Sequence, residues 1–464
     1  MTLRRPKETI TLGVLLVVGA ALRFWNVGAE SLWQDEAWSW GLIQGGPKDL
    51  VLRLYRFDAH PPLYFLCLQA WSVFGGSEAW LRALSVALGL GSIPLLYRLA
   101  SRIGGPKAGL LASGFLTISP YHVYYSREAR SYALLFLLCI VSLDLLLDLA
   151  AQRHRGKWVA FAGVSAAILL THYMGAFFLA AEAGVALLLR RDRPGFLKEF
   201  ALAAAGAAVL YLPWFPAFYL HVTTVNQGFW LPSPTATIVA FSLCSLVASP
   251  LFMGTPGYLV GWSFYGAAFA GLRGRLAIAL LPVLLFPPLG ELLVSLHRPL
   301  FYAQTFQYIL IPLFILAAVG ITRLPSGVDV AAAALGCLAL LPGLARTETQ
   351  LVKEDWRGAV AWIGSAVGAD ELLVVQPGFV GIGLERYAES APWWDRVRLV
   401  DAGDMARSPV PRKAVRAELE AKAGLWLVFR HGGDEGWFAD LEKDFTRVDS
   451  FKSRGVEVHH FRRK

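Results

Sequence analysis

Between residues 9 and 344 the chain runs through about eleven apolar segments, each near the ~20 residues that an α-helix needs to cross a bilayer core. Backbone amides in hydrocarbon must be bonded within their own segment, so the pattern predicts helices near 9–27, 81–100, 107–124, 131–150, 157–172, 174–190, 199–216, 256–272, 275–295, 303–321 and 326–344. Composition agrees: 56% of residues are hydrophobic, 17% are charged and the mean hydropathy is +0.49, whereas a soluble protein carries about a quarter charged residues. A net charge of +9 in a soluble protein would suggest nucleic acid as a partner. Here the basic residues lie mostly in short loops between apolar segments, so membrane lipids are the expected partner and nucleic acid is not.

Those loops also give sidedness. With the N-terminus cytoplasmic, the inside loops 4–7, 98–107, 153–157, 190–198, 273–275 and Arg323 are all basic, as the positive-inside rule requires. Residues 28–80, 119–131, 217–255, 295–303 and everything after about 345 then lie outside, on a cell inner membrane crossed many times. The first segment ends in Arg23, Phe24 and Trp25 without a small-residue cleavage site, so it reads as a retained signal anchor. Cys67, Cys139, Cys244 and Cys337 stand singly in apolar stretches, as small core residues do.

Two domains are expected: a membrane module over 1–345, in which 28–80 is a first outer loop with interfacial helices, and a soluble extracytoplasmic domain over 346–464. In the latter, a helix around Trp356 to Ile363 and the apolar runs ELLVVQP, RVRLV, GLWLVFRH and VEVHHF suggest an α/β layer. It carries no phosphate loop, nucleophile elbow or metal motif. The stretch 236–250 is apolar but short, and a full span there would spoil the charge pattern, so it reads as a re-entrant or interfacial helix.

Three polar clusters fall on the outer side. In WQDEAWSW, Asp35 and Glu36 lie among Trp33, Trp38 and Trp40, where a carboxylate beside a bilayer is costly to keep. In FDAHPPLYF, Asp58 and His60 precede Pro61 and Pro62, a natural helix start, with Tyr64 in its first turn. In YHVYYSREARSYALLF, Arg127 and Arg130 flank Glu128 and are expected to share a helix face three residues apart, with Tyr132 following.

This order of motifs, joined by His172–Tyr173 and by DWRGAVAWI at the head of the outer domain, resembles the GT-C membrane glycosyltransferases that use polyprenyl-phosphate sugars. Protein O-mannosyltransferases and the aminoarabinose transferases of lipid A are among them. The resemblance covers the whole topology and implies a polytopic α-helical membrane protein of GT-C type with a C-terminal soluble α/β domain on the outer face. It implies transfer of a sugar from a polyprenyl-phosphate donor to a hydroxyl on a lipid, polysaccharide or protein. A departing phosphate is a weak base, so such a site needs a base for the acceptor and positive charge for the leaving group. Asp35 is then the general base and Glu36 its support, with Arg127, Arg130 and Arg298 on the phosphate. Asp58, His60, Tyr64, Glu128, Tyr132, His172 and Tyr308 complete the substrate-binding set. Displacement in one step inverts the anomeric carbon, since adjacent carboxylates rarely face each other across a ring.

Plainer readings compete at each position. Asp35 and Glu36 would cap a short helix equally well. Related enzymes leave room for a divalent cation on Asp58, His60 and Asp35, but one histidine and scattered acids make no compact motif, so no metal is assigned and a structural turn is the better reading. Either arginine could anchor lipid headgroups, and His172 could be an ordinary interfacial histidine. Relatives often carry Arg-Tyr where this chain has Phe306, Gln307 and Tyr308; Arg298 upstream is the expected substitute. A multi-pass transporter usually shows related halves and broken helices with its charges inside the spans, whereas here the charges cluster on one face beside a large outer loop and an outer domain. A polysaccharide polymerase or ligase would share the donor but not the Asp-Glu loop.

Overall fold

The computed structural model describes residues 6–191, 193–224, 231–368, 370–376, 381–401, 417–419, 422–430 and 435–464. Arg4 and Arg5 of the first basic loop, Pro377 of ELLVVQP and His431 of GLWLVFRH lie outside the described residues. The chain forms two compact units: a helical unit of Met1–Val27 with Gly45–Gln350, and a sheet-containing unit of Gly28–Gln44 with Leu351–Lys464.

In the helical unit, helices occupy all eleven apolar segments. Among the described residues, six are long and apolar enough to cross a membrane: Glu78–Ile118, Tyr132–Ala151, Phe196–Thr224, Arg275–Ser295, Ala303–Ile321 and Val328–Thr349. The first of these combines two expected segments. At Gly105 φ is +82° and Pro106 follows without an amide hydrogen, so the helix cannot continue through them. The chain doubles back there, and Ser113 Oγ donates to the Ile93 carbonyl at 3.1 Å. The stretch 236–250 contains a helix of 13 residues, Ala236–Ala248, about 20 Å long and shorter than a bilayer core.

All residues of Leu310–Ile321 are buried, which makes this the central helix of the unit. It packs closely on Thr255–Gly271 through two glycines: a Cβ on Gly271 would lie 2.0 Å from the Leu316 carbonyl oxygen, and one on Gly320 would lie 2.3 Å from that of Ala267. Small residues allow such contact where helices have no hydrophobic drive to associate. Arg23, fully buried, ties the first helix, Pro6–Phe24, to its neighbours by donating to the carbonyls of Leu116 and Thr117 and to His122 Nδ1 at 2.8 Å.

Among the described residues the sheet-containing unit holds five strands: β1 Glu371–Gln376, β2 Arg398–Asp401, β3 Gly424–Arg430, β4 Phe445–Ser453 and β5 Val456–Arg463, in the order β2-β1-β3-β5-β4. β1 is parallel to β2 and β3, whereas β5 is antiparallel to β3 and β4. Alternation divides each central strand between two cores. Leu373, Val375, Trp426 and Val428 meet the Trp356–Gly364 helix, while Leu372, Val374, Leu425 and Leu427 meet Trp437 and Leu441 of the Glu435–Leu441 helix. The expected α/β layer is present. Its fifth strand, β4, was not among the expected runs, because it is an edge strand whose side chains from Thr446 to Ser450 are all exposed.

Candidate functional site

In the sheet-containing unit, Asp35 and Glu36 lie in the first turn of the helix Gln34–Leu42. Glu36 accepts the Trp33 amide at 3.4 Å, so the capping expectation holds for this residue. It does more than cap. Its side chain is fully buried and forms an ion pair with Lys353 at 3.0 Å, and Lys353 is itself only 6% exposed. Asp35 is half-buried, and its carbonyl accepts the Ser39 hydroxyl at 2.9 Å.

In the helical unit, the Pro47–Phe57 helix ends at Asp58. Asp58 Oδ1 accepts both the His60 amide at 2.7 Å and its Nδ1–H at 2.6 Å, closing a tight loop before Pro61 and Pro62. The helix Leu63–Ser72 then starts where the proline pair predicts. His60 Nε2 lies 3.0 Å from Arg130 Nη2. A guanidinium can only donate, so in this arrangement His60 is neutral, protonated at Nδ1 and an acceptor at Nε2. Arg130 also lies over the Phe65 ring at 5.9 Å.

Further expected residues gather here. The His172 ring is 5.7 Å from that of His60 and 6.0 Å from that of Tyr132, both between centroids. Tyr64 bonds Ser85 Oγ at 3.0 Å, and Ser85 Oγ in turn donates to the Arg130 carbonyl at 3.5 Å. Tyr308, fully buried, donates to the Met174 carbonyl at 2.9 Å and so braces the turn whose Met174 amide is accepted by His172 Nδ1. Glu128 is buried in the turn between Arg127 and Arg130.

Other expectations are corrected. Arg127 and Arg130 do not share a helix face: the Pro120–Ser126 helix ends before them, the next begins at Tyr132, and the intervening residues form a turn. Arg127 points to the Val328–Thr349 helix, pairing with Glu348 at 3.0 Å and donating to the Thr347 and Trp25 carbonyls, each at 3.2 Å. Arg298 donates to the Val222 carbonyl at 2.8 Å. Both guanidiniums therefore donate to main-chain carbonyls.

Sequence reasoning missed Lys353, Ser85 and the hydrogen bond from Tyr125 to Gln304 Oε1 at 2.8 Å. Burial first, then neighbouring Tyr121 and Glu128, push the Tyr125 hydroxyl well above the ordinary phenol value, which keeps it a neutral donor. Among the described residues, no three His, Cys, Asp or Glu side chains gather as a metal ion would need.

A family model described as dolichyl-phosphate-mannose-protein mannosyltransferase matches residues 59–219, the stretch holding His60, Tyr64, Arg127, Glu128, Arg130, Tyr132 and His172. Among solved structures, ArnT from Cupriavidus metallidurans in the apo state is similar over 98% of both chains, with 14% identity and a TM-score of 0.67. The same protein bound to undecaprenyl phosphate is similar over 97% of both, with 15% identity and a TM-score of 0.63. The Archaeoglobus fulgidus oligosaccharyltransferase in complex with Zn and sulfate is 14% identical over 97% of this chain and 72% of its own, with a TM-score of 0.59. No curated protein sequence matches. The chain has the fold of the GT-C membrane glycosyltransferases.

Proposed function

We propose that this protein transfers a sugar from a polyprenyl-phosphate donor to an acceptor hydroxyl on the outer face of the cell inner membrane, with the N-terminus cytoplasmic, a membrane module over 1–345 and a soluble extracytoplasmic domain over 346–464. The observation that carries the reading is Arg130, a buried guanidinium aimed by a neutral imidazole that Asp58 holds in one tautomer. Arginine suits phosphate through paired N–H donors and stays charged. The undecaprenyl phosphate bound by ArnT, a protein of the same fold, supports a lipid phosphate as the ligand.

In the proposed reaction the acceptor oxygen bonds to the anomeric carbon as the bond from that carbon to the phosphate oxygen breaks. Polyprenyl phosphate leaves with the electron pair and gains one negative charge, which Arg130 stabilises. Asp35 takes the hydroxyl proton. Glu36, buried against Lys353, is not placed to attack a sugar ring, which favours a single displacement with inversion.

Mass spectrometry of the lipids that copurify with the protein tests the reading. A polyprenyl-phosphate species should accompany the wild type and be lost from Arg130→Ala. A correctly folded wild type that binds none when such lipids are supplied contradicts it.

A further inference from the structure

Lys353, Glu354 and Arg357 lie at the start of the C-terminal stretch, yet they bond chiefly to residues 28–36. The Lys353 amide donates to Glu30 at 2.8 Å, and the Arg357 side chain donates to the carbonyls of Gly28 at 3.2 Å and Ala29 at 2.6 Å. Glu354 accepts the Gln34 amide at 2.6 Å, immediately before Asp35, and the other oxygen of the same carboxylate accepts Arg430 Nε of β3 at 2.5 Å. Asp355 caps the Trp356–Gly364 helix through the Gly358 amide at 3.0 Å and bonds Ser453 of β4 at 2.8 Å. Further along, the Tyr387 hydroxyl accepts the Leu32 amide at 2.7 Å and the Arg386 guanidinium lies 5.0 Å from the Trp40 ring centroid. The Asp-Glu turn is thus built into the sheet-containing unit along both its backbone and its side chains.

Within this frame the Lys353–Glu36 pair needs a reason. Two charges taken out of water gain little stability from each other, because desolvation offsets their attraction. Such pairs are better suited to selecting one geometry. The pair joins the first turn of the Gln34–Leu42 helix to the segment that Glu354 and Asp355 fasten to the sheet, so it fixes the rotation of that turn about the helix axis.

We propose that Lys353 is a positioning residue for the transfer reaction: by pairing with buried Glu36 it sets the direction of the neighbouring Asp35 carboxylate. This rests on the reading of Asp35 as base. Glu36 on this view is the anchor of the turn and takes no part in the chemistry.

The test uses the full-length protein in lipid, with donor and acceptor kinetics measured beside hydrogen exchange of residues 31–42. Lys353→Met should lower kcat by about 10²-fold, the usual effect of a misplacement near 1 Å, and leave the donor KM within about twofold. Exchange in the Gln34–Leu42 helix should rise while β1 and β3 stay protected. Lys353→Arg should recover most of kcat. A wild-type kcat in Lys353→Met or unchanged exchange of the helix would overturn the proposal. If the wild type transfers no sugar, the function reading fails, while the exchange data still report whether Lys353 holds the turn.

Discussion

His60 accepts a hydrogen bond from Arg130 at 3.0 Å across a gap of 70 residues in sequence, while Asp58 holds the opposite ring nitrogen at 2.6 Å. The carboxylate fixes the tautomer and the tautomer fixes the guanidinium, so three residues from two segments act as one orienting chain.

Breaking that chain should weaken donor binding more than turnover. Asp58→Asn frees the His60 tautomer, and His60→Ala removes the acceptor that aims Arg130. Hydrogen bonds to charged groups are worth about 1.5–3 kcal/mol, so the donor KM should rise by about tenfold to a hundredfold in His60→Ala and less in Asp58→Asn. Steady-state kinetics with varied donor check this. An unchanged KM in both variants would show that the chain plays no part in holding the donor.

Arg127 should behave differently from Arg130. It pairs with Glu348 and satisfies two carbonyls, so Arg127→Ala should cost about 1–3 kcal/mol of stability and lower Tm, with donor affinity retained. The double variant Arg127→Ala, Glu348→Ala should be little worse than Arg127→Ala alone, whereas Glu348→Ala, which leaves both carbonyl contacts in place, should cost less. Thermal unfolding in detergent and a donor-binding assay separate the two effects.

Acid should loosen the sheet-containing unit in a defined window. Burial pushes the Glu371 carboxyl up, but the Gly368 amide at 2.8 Å, the Trp426 indole at 2.7 Å and His460 at 2.9 Å together outweigh it and hold the group below the usual range. A depressed folded value means that the contribution is complete above the unfolded glutamate value, about 4.3, and is lost as pH falls from there through the folded value. Hydrogen-exchange protection in β1 and β3 should therefore decline below about pH 4.3, and Glu371→Gln should flatten that part of the decline. An identical pH profile in the variant would remove Glu371 as the cause.

Much of the architecture was legible because its signals are local. Long apolar runs marked the helices, the proline pair marked the start of Leu63–Ser72, and short apolar runs between turn or helical segments marked β1, β2, β3 and β5. Strand β4 escaped because an edge strand facing water carries no apolar pattern. The spacing of Arg127 and Arg130 misled because the three-residue rule presumes a helix, whereas both lie in the turn between Pro120–Ser126 and Tyr132–Ala151, where Arg127 bonds the Trp25 and Thr347 carbonyls. Lys353 could not be found: nothing near it in sequence shows that residues 28–44 would pack with Leu351–Lys464, and the pairing with Glu36 exists only once they do.

The assignment of Asp35 as the base is tested most directly by sugar transfer in Asp35→Asn, measured with the variant in lipid and its donor binding determined in parallel. Asparagine preserves the side-chain shape but cannot accept the hydroxyl proton. Turnover should fall by about 10²–10⁴-fold, the usual worth of a general base, with donor affinity close to the wild type. Near-normal turnover in Asp35→Asn would contradict the account.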